Sequence, residues 1–295
     1  MSALMLALSE TLPFARHLSE LSGIPLGQIE TRRFPDGEAW VRVEADCKGR
    51  SVALVVSLDR PDSRLLPLIF LADAVRDLGA TRVGLVAPYL AYLRQDRRFH
   101  TGEALTSRTF GGLLSRYVDW LVTIDPHLHR YTSLGQVYTI PNRVVHAAEA
   151  MAVWIRDHVD RPLLVGPDEE SRQWLADIAS RAGAPYVILS KVRHDDGTVE
   201  VTAPDLHDHH QQTPVVVDDI VSSARTMLAT VKALTGARMR PAVCMAVHAL
   251  FSAQAEEQLR HAGAGRLVST NTVPHASNAI DVAPLLVEAV NELAL

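Results

Sequence analysis

Six stretches of this sequence carry side chains able to handle phosphate, hydroxyls or a divalent cation, and most of them directly follow an apolar run. In VVVDDIVSSARTM (215–227), three valines meet Asp218 and Asp219, then a series of small and hydroxyl-bearing residues and Arg225. An apolar run, a turn and a helical pattern read as strand, loop and helix. The loop and helix start then offer backbone N–H groups to an anion. Two carboxylates beside an anion site make sense when something positive or hydroxylic lies between them.

The other five stretches carry complementary chemistry. YLRQDRRFHTGE (92–103) follows the run GLVAPYL and gathers Arg94, Arg97 and Arg98 around Gln95 and Asp96. Guanidinium forks bind phosphate chains in bidentate fashion. TIDPHLHRY places Asp125, His127 and His129 after WLVTI; the histidine spacing suits a metal or a phosphate, with no cysteine or third histidine nearby for zinc. In VGPDEES, Asp168 follows an apolar run and precedes a helical pattern, as much a helix N-cap as a metal ligand. In SKVRHDDGT (190–198), Lys191 and Arg193 open a hydrophilic loop that could close over a transferring phosphoryl group. FPDGE (34–38) is a hairpin turn whose Phe34, Asp36 and Glu38 could hold a purine ring and its amine.

The elements that must position these residues alternate almost throughout. Strands are expected at 4–8, 51–57, 82–90, 120–125, 162–168, 186–191, 240–248 and 266–272, with a hairpin over 29–44. Helices are expected near 12–23, 63–78, 105–116, 146–158, 170–182, 225–235, 252–262 and 282–293. Strands separated by helices imply parallel sheets covered on both faces. The pattern restarts after 136–146, so two α/β domains are expected, 1–145 and 146–295. Ligands in such sheets bind beyond the carboxyl ends of the strands, where the charged stretches fall.

With 295 residues and a formal charge of −5, the chain has room for two cores and no general attraction for nucleic acid or an anionic membrane. Two isolated cysteines, Cys47 and Cys244, argue against a disulfide framework and for a reducing compartment. The short apolar run in MSALMLALSE lacks a preceding basic region and is far below spanning length, so a cytoplasmic protein is expected.

In order and spacing, RRFPDGE, RQDRR, TIDPH, GPD, KVR, VVVDDIV, HALFS (248–252) and TNTVPH (270–275) resemble the ribose-phosphate pyrophosphokinases over nearly the whole chain. The resemblance implies two tandem type I phosphoribosyltransferase-like domains, each a mainly parallel sheet flanked by helices. It also implies the reaction of ATP with ribose 5-phosphate to give 5-phosphoribosyl 1-diphosphate and AMP, with Mg2+. By position, Phe34, Asp36, Gly37, Glu38, Arg94 and Gln95 match the ATP-contacting residues, and His127 and Asp168 the metal-associated ones. Lys191 and Arg193 match the basic residues of the catalytic loop. Arg193, Asp218, Asp219, Ser222, Ser223, Ala224, Arg225 and Thr226 match the ribose 5-phosphate site. The hairpin is presented to a neighbouring subunit in such proteins, so self-association is implied.

Departures from the common pattern resemble the archaeal-type branch. Many relatives have DDIIDTGGT where this chain has DDIVSSART, so Ser222 replaces an acid while Ala224 and Arg225 replace paired glycines. Alanine would hold backbone N–H groups less freely around a phosphate, and Arg225 could compensate by touching it. Three other readings stand beside this one: a catalytically silent regulatory homologue, a phosphoribosyltransferase, and a pyrophosphokinase for another sugar phosphate.

Overall fold

The computed structural model describes residues 2–193, 199–202 and 206–295. The first unit starts with β1 (Ala3–Ala7), buried at every position, and α1 (Leu12–Ser22), which ends on Gly23 at φ +73°. Glycine closes the helix because it adopts the left-handed conformation without a Cβ clash. A hairpin follows, β2 (Ile29–Arg33) and β3 (Ala39–Val43), forming its own two-stranded antiparallel sheet. Then come β4 (Ser51–Val55), α2 (Pro61–Asp77), β5 (Arg82–Ala87), α3 (Thr106–Leu114), β6 (Trp120–Ile124) and β7 (Asn142–Val145). Strands β1, β4, β5, β6 and β7 form one parallel sheet in that order. Nearly every residue of β1, β4, β5 and β6 is buried, as strands covered on both faces require.

The second unit contains α4 (Ala148–His158), β8 (Pro162–Gly166), α5 (Arg172–Ala182) and β9 (Tyr186–Ile188). A second hairpin pairs β10 (Ser190–Arg193) with β11 (Val199–Thr202). The remainder is β12 (Thr213–Val221), α6 (Arg225–Gly236), β13 (Ala242–Ala249), α7 (Ala253–His261), β14 (Ala264–Thr270), β15 (Asn278–Ile280) and α8 (Ala283–Ala294). Its six-stranded parallel sheet runs β15-β14-β13-β12-β8-β9. The chain builds outward from β8 to β9, then returns to the other side of β8 with β12. That reversal is the switch point at which open α/β sheets bind ligands.

Several expectations are corrected. The apolar run at 215–217 does not end at the aspartates: β12 continues through Asp218 and Asp219 to Val221, because Asp218, Ile220 and Val221 still pair with Ala246, His248 and Ala249. The stretch 136–146 is more than a linker, since Asn142–Val145 pairs with β6 as an edge strand. The compact units are Met1–His146 with Ala283–Leu295, and Ala147–Val282. The last helix therefore belongs to the first unit instead of the expected 146–295 domain. It packs on α1 and against β5, β6 and β7, burying Leu286, Val290 and Leu293, and Arg143 at β7 pairs with its Glu292. An amphipathic pattern shows that a helix needs a partner surface and does not show which one. Among the described residues, no helix is long and apolar enough to cross a membrane.

Candidate active site

The residues expected at the site divide between the two units. In the first, Phe34–Glu38 closes the β2–β3 hairpin. Phe34 N–H donates to Glu38 O and Gly37 N–H to Phe34 O, both at 2.9 Å, and Gly37 has φ +94°. Asp36 Oδ1 accepts from Glu38 N–H at 3.1 Å, and Arg33 donates to Gly37 O at 2.8 Å and to Ser63 O at 2.6 Å. The turn is thus fixed by its own backbone, while Phe34 remains 43% exposed with Arg32 over its ring at 5.4 Å. The hairpin packs on α2 and stands outside the five-stranded sheet.

Arg94 and Gln95 follow β5, and His127 follows its neighbour β6, so the topology brings these segments to adjacent carboxyl ends. The basic loop is anchored. Ser107 Oγ donates to Gln95 O at 3.0 Å, and Arg130 holds the buried Asp96 carboxylate at 2.8 Å. Glu103 accepts from Phe99 N–H at 2.7 Å; backbone donation from Phe99, then from His100, lowers its pKa. Tyr92, at φ +61°, donates its hydroxyl to Asp62, a bond that raises the phenol's pKa. After β6, Asp125 sits at φ +34° with its N–H bound to Val145 O, and the His127 and His129 rings lie 3.9 Å apart. Sequence reasoning passed over Arg130, Phe99 and His146, whose signal is their contact with expected residues instead of any motif.

In the second unit, the switch point collects the carboxylates. Val165 of β8 pairs with Val216 of β12, and Asp168 and Asp219 each follow by three residues. Asp168 stands at the N-cap position of a short turn, yet its side chain makes no cap hydrogen bond there. Gly166 permits the loop: a Cβ there would stand 2.5 Å from Ser171 Oγ and 2.7 Å from Ile188 Cδ1. Ser171 Oγ in turn donates to Asp168 O at 2.6 Å.

Beyond β12, Ser222 and Ser223 lead to Ala224, at φ +56° with its methyl buried in the core of the unit alongside Val216, Val221 and Met227. Ala224 O accepts from Leu228 N–H at 2.7 Å, opening α6 with Arg225 exposed and Thr226 half-buried at its first turn. Alanine therefore occupies the left-handed conformation expected to need glycine, held there by the packing of its side chain. Lys191 and Arg193 occupy alternate positions of β10, opposite Val201 and Val199. The loop expected to follow them, His194 to Thr198, lies outside the described residues. At the ends of β13 and β14, the buried His248 Nδ1 lies 2.9 Å from Thr272 Oγ1.

The fold of the second unit, a doubly wound sheet with acids and a helix-opening turn at its switch point, belongs to the phosphoribosyltransferase class. Residues 133–284 match the phosphoribosyl transferase domain, and residues 3–117 match the N-terminal domain of ribose phosphate pyrophosphokinase. Two archaeal relatives are named ribose-phosphate pyrophosphokinase. The one from Methanopyrus kandleri is 35% identical over 98% of this chain and 99% of its own. The one from Saccharolobus solfataricus is 34% identical over 87% and 88%. The crystal structure of phosphoribosylpyrophosphate synthetase from Mycobacterium smegmatis shares the fold, with a TM-score of 0.86 over 99% of both chains at 22% identity. The chain belongs to the ribose-phosphate pyrophosphokinase family.

Proposed function

We propose that this chain transfers the diphosphoryl group of ATP to the anomeric hydroxyl of ribose 5-phosphate, releasing AMP. The observation that carries the reading is the switch point of the second unit. There Asp218 and Asp219 precede Ala224, whose left-handed backbone opens α6 and its unpaired first N–H groups. Such a turn suits the 5-phosphate, and the paired acids suit vicinal ribose hydroxyls. Ser222, Ser223, Arg225 and Thr226 complete that half. Phe34, Asp36, Gly37, Glu38, Arg94 and Gln95 form the nucleotide half, with Lys191 and Arg193 neutralising the transferring group.

Phosphoryl transfer depends chiefly on positioning and on neutralising dispersed negative charge. Removing one preorganised charge donor costs about 10²–10³ in rate, or ~3–4 kcal/mol. Mg2+ fits the donor set at Asp168, because it prefers carboxylate oxygens and this one is not used to cap its turn. His127 is the less usual member of the set. When bound, the ion would supply charge neutralisation on the phosphate chain.

Self-association belongs to the same reading. The hairpin packs on α2, which exposes Leu66 at 53% and Phe70 at 43%. Phe34 is exposed as well, and exposed apolar side chains of this kind are what a second copy covers.

The test is to incubate the purified protein with ATP, Mg2+ and ribose 5-phosphate. Equimolar AMP and phosphoribosyl diphosphate are expected, and Lys191→Ala should abolish turnover without changing the melting temperature. Absence of product from the wild type would leave a silent homologue. Product from another sugar phosphate in preference to ribose 5-phosphate would reassign the acceptor.

A further inference from the structure

Two guanidinium groups converge on one exposed aromatic ring in the first unit. Arg97 Cζ lies 4.7 Å and Arg130 Cζ 5.9 Å from the centroid of Phe99, which is 53% exposed. Phe99 is not a loose surface residue. Glu103 holds its N–H, and Arg98 Nε donates to Glu103 O at 2.9 Å, so the turn that presents the ring is tied at both ends. Arg130 is tied as well, by Asp96, whose side chain is only 2% exposed.

The charge balance at this place is unusual. The whole chain is acidic, yet here, among the described residues, Asp96 is the one carboxylate bonded to either guanidinium, and Arg97 has no carboxylate partner. Bringing two cations to one ring offsets their repulsion only in part. The arrangement is complete when an anion with several oxygens lies across both forks. Its position says which anion. Asp96 is joined covalently to Gln95, whose carbonyl Ser107 holds, and Arg130 follows His127 by three residues.

We infer that Arg130 and Arg97 bind the phosphate chain of the nucleotide, and that Phe99 is a positioning residue that aligns both guanidinium planes. The inference rests on the reading of this chain as an ATP-dependent pyrophosphokinase and adds residues to its nucleotide half. The shared chemistry, a phosphate-group anion, also fits free inorganic phosphate, and the test separates the two.

Steady-state kinetics on the full-length protein should show Arg130→Gln raising KM for ATP about ten-fold, as loss of one charge-assisted contact predicts, with KM for ribose 5-phosphate changed less than about two-fold. Because Arg130→Gln strands the buried Asp96, Asp96→Asn/Arg130→Gln is measured beside it; the same rise in KM is expected. Phe99→Leu should raise KM for ATP, and Phe99→Tyr, which keeps the ring face, should restore it. An unchanged KM for ATP in both Arg130 variants would overturn the proposal. So would equal rises for both substrates, or a change confined to the response to inorganic phosphate. If the wild type makes no product, the pyrophosphokinase reading fails, and calorimetry with tripolyphosphate still tests the cradle: binding by the wild type and loss in Arg130→Gln uphold it, and equal binding sinks it.

Discussion

His146 Nδ1 lies 2.7 Å from Asp125 Oδ1, tying the residue after β7 to the residue after β6. Asp125 needs that tie. Its backbone has φ +34°, a region that non-glycine residues enter at a cost and that aspartate and asparagine tolerate best. The bond and the peptide contact to Val145 O together hold the bend two residues before His127.

Replacing Asp125 therefore separates side chain from backbone. Asp125→Ala loses the hydrogen bond and places alanine in the unfavourable region, a combined cost of about 1–2 kcal/mol after discounting for the exposed His146 ring. For a chain of this size that corresponds to a melting temperature about 2–3 °C lower. Asp125→Asn, which keeps a short polar side chain, should lose less than half as much. Equal losses in the two variants, read by thermal unfolding, would show that the conformation is not strained.

Gly166 sets the height of the loop that carries Asp168. A methyl group there meets Ser171 Oγ, Ile188 and Leu175 within 3.0 Å, and Ser171 is the residue whose hydroxyl holds Asp168 O. Gly166→Ala should cost about 1–3 kcal/mol as overpacking and raise the Mg2+ concentration needed for half-maximal activity. Gly183→Ala is the control. It introduces strain at φ +65° in open space, so it should lower stability while leaving the Mg2+ dependence as in the wild type.

Much of this arrangement was legible because apolar runs mark buried strands, and charged residues fall where those runs stop. The FPDGE turn, the strand before Asp168 and the helix opening at Arg225 all follow from local pattern. What was not legible depended on partners distant in sequence. NRVV at 142–145 is too short to declare itself a strand, and its pairing with β6 makes it one. The last helix shows an apolar stripe but not that α1 covers it. Arg130 sits in an unremarkable run until the fold sets Asp96 and Phe99 beside it.

Both thiols should be silent in the native protein. Burial pushes Cys244 up to about 12, and burial, with the Asp46 charge adding to it, raises Cys47. A raised thiol pKa leaves little thiolate to react. A disulfide reagent at pH 8 should label neither residue within minutes, and label both once denaturant is added. Rapid labelling of Cys47 alone would reveal local opening of the segment between β3 and β4.

The turn before α6 offers the sharpest separation of stability from binding. Ala224→Gly relieves about 1–2 kcal/mol of left-handed strain, but loses a buried methyl worth about 0.8 kcal/mol and gives the unfolded chain about 0.4–1 kcal/mol of extra entropy. These terms nearly cancel, so its melting temperature should stay within a few degrees of the wild type. Arg225→Ala removes an exposed side chain from the first turn of α6 and should not touch stability at all. If Arg225 reaches the 5-phosphate, as its position in the turn suggests, its loss removes one charge-assisted hydrogen bond worth about 1.5–3 kcal/mol. KM for ribose 5-phosphate should then rise at least ten-fold while KM for ATP holds. An unchanged KM for the sugar phosphate would leave the backbone N–H groups and the neighbouring hydroxyls of Ser222, Ser223 and Thr226 as the whole of the phosphate grip, and Arg225 as a solvent-facing residue.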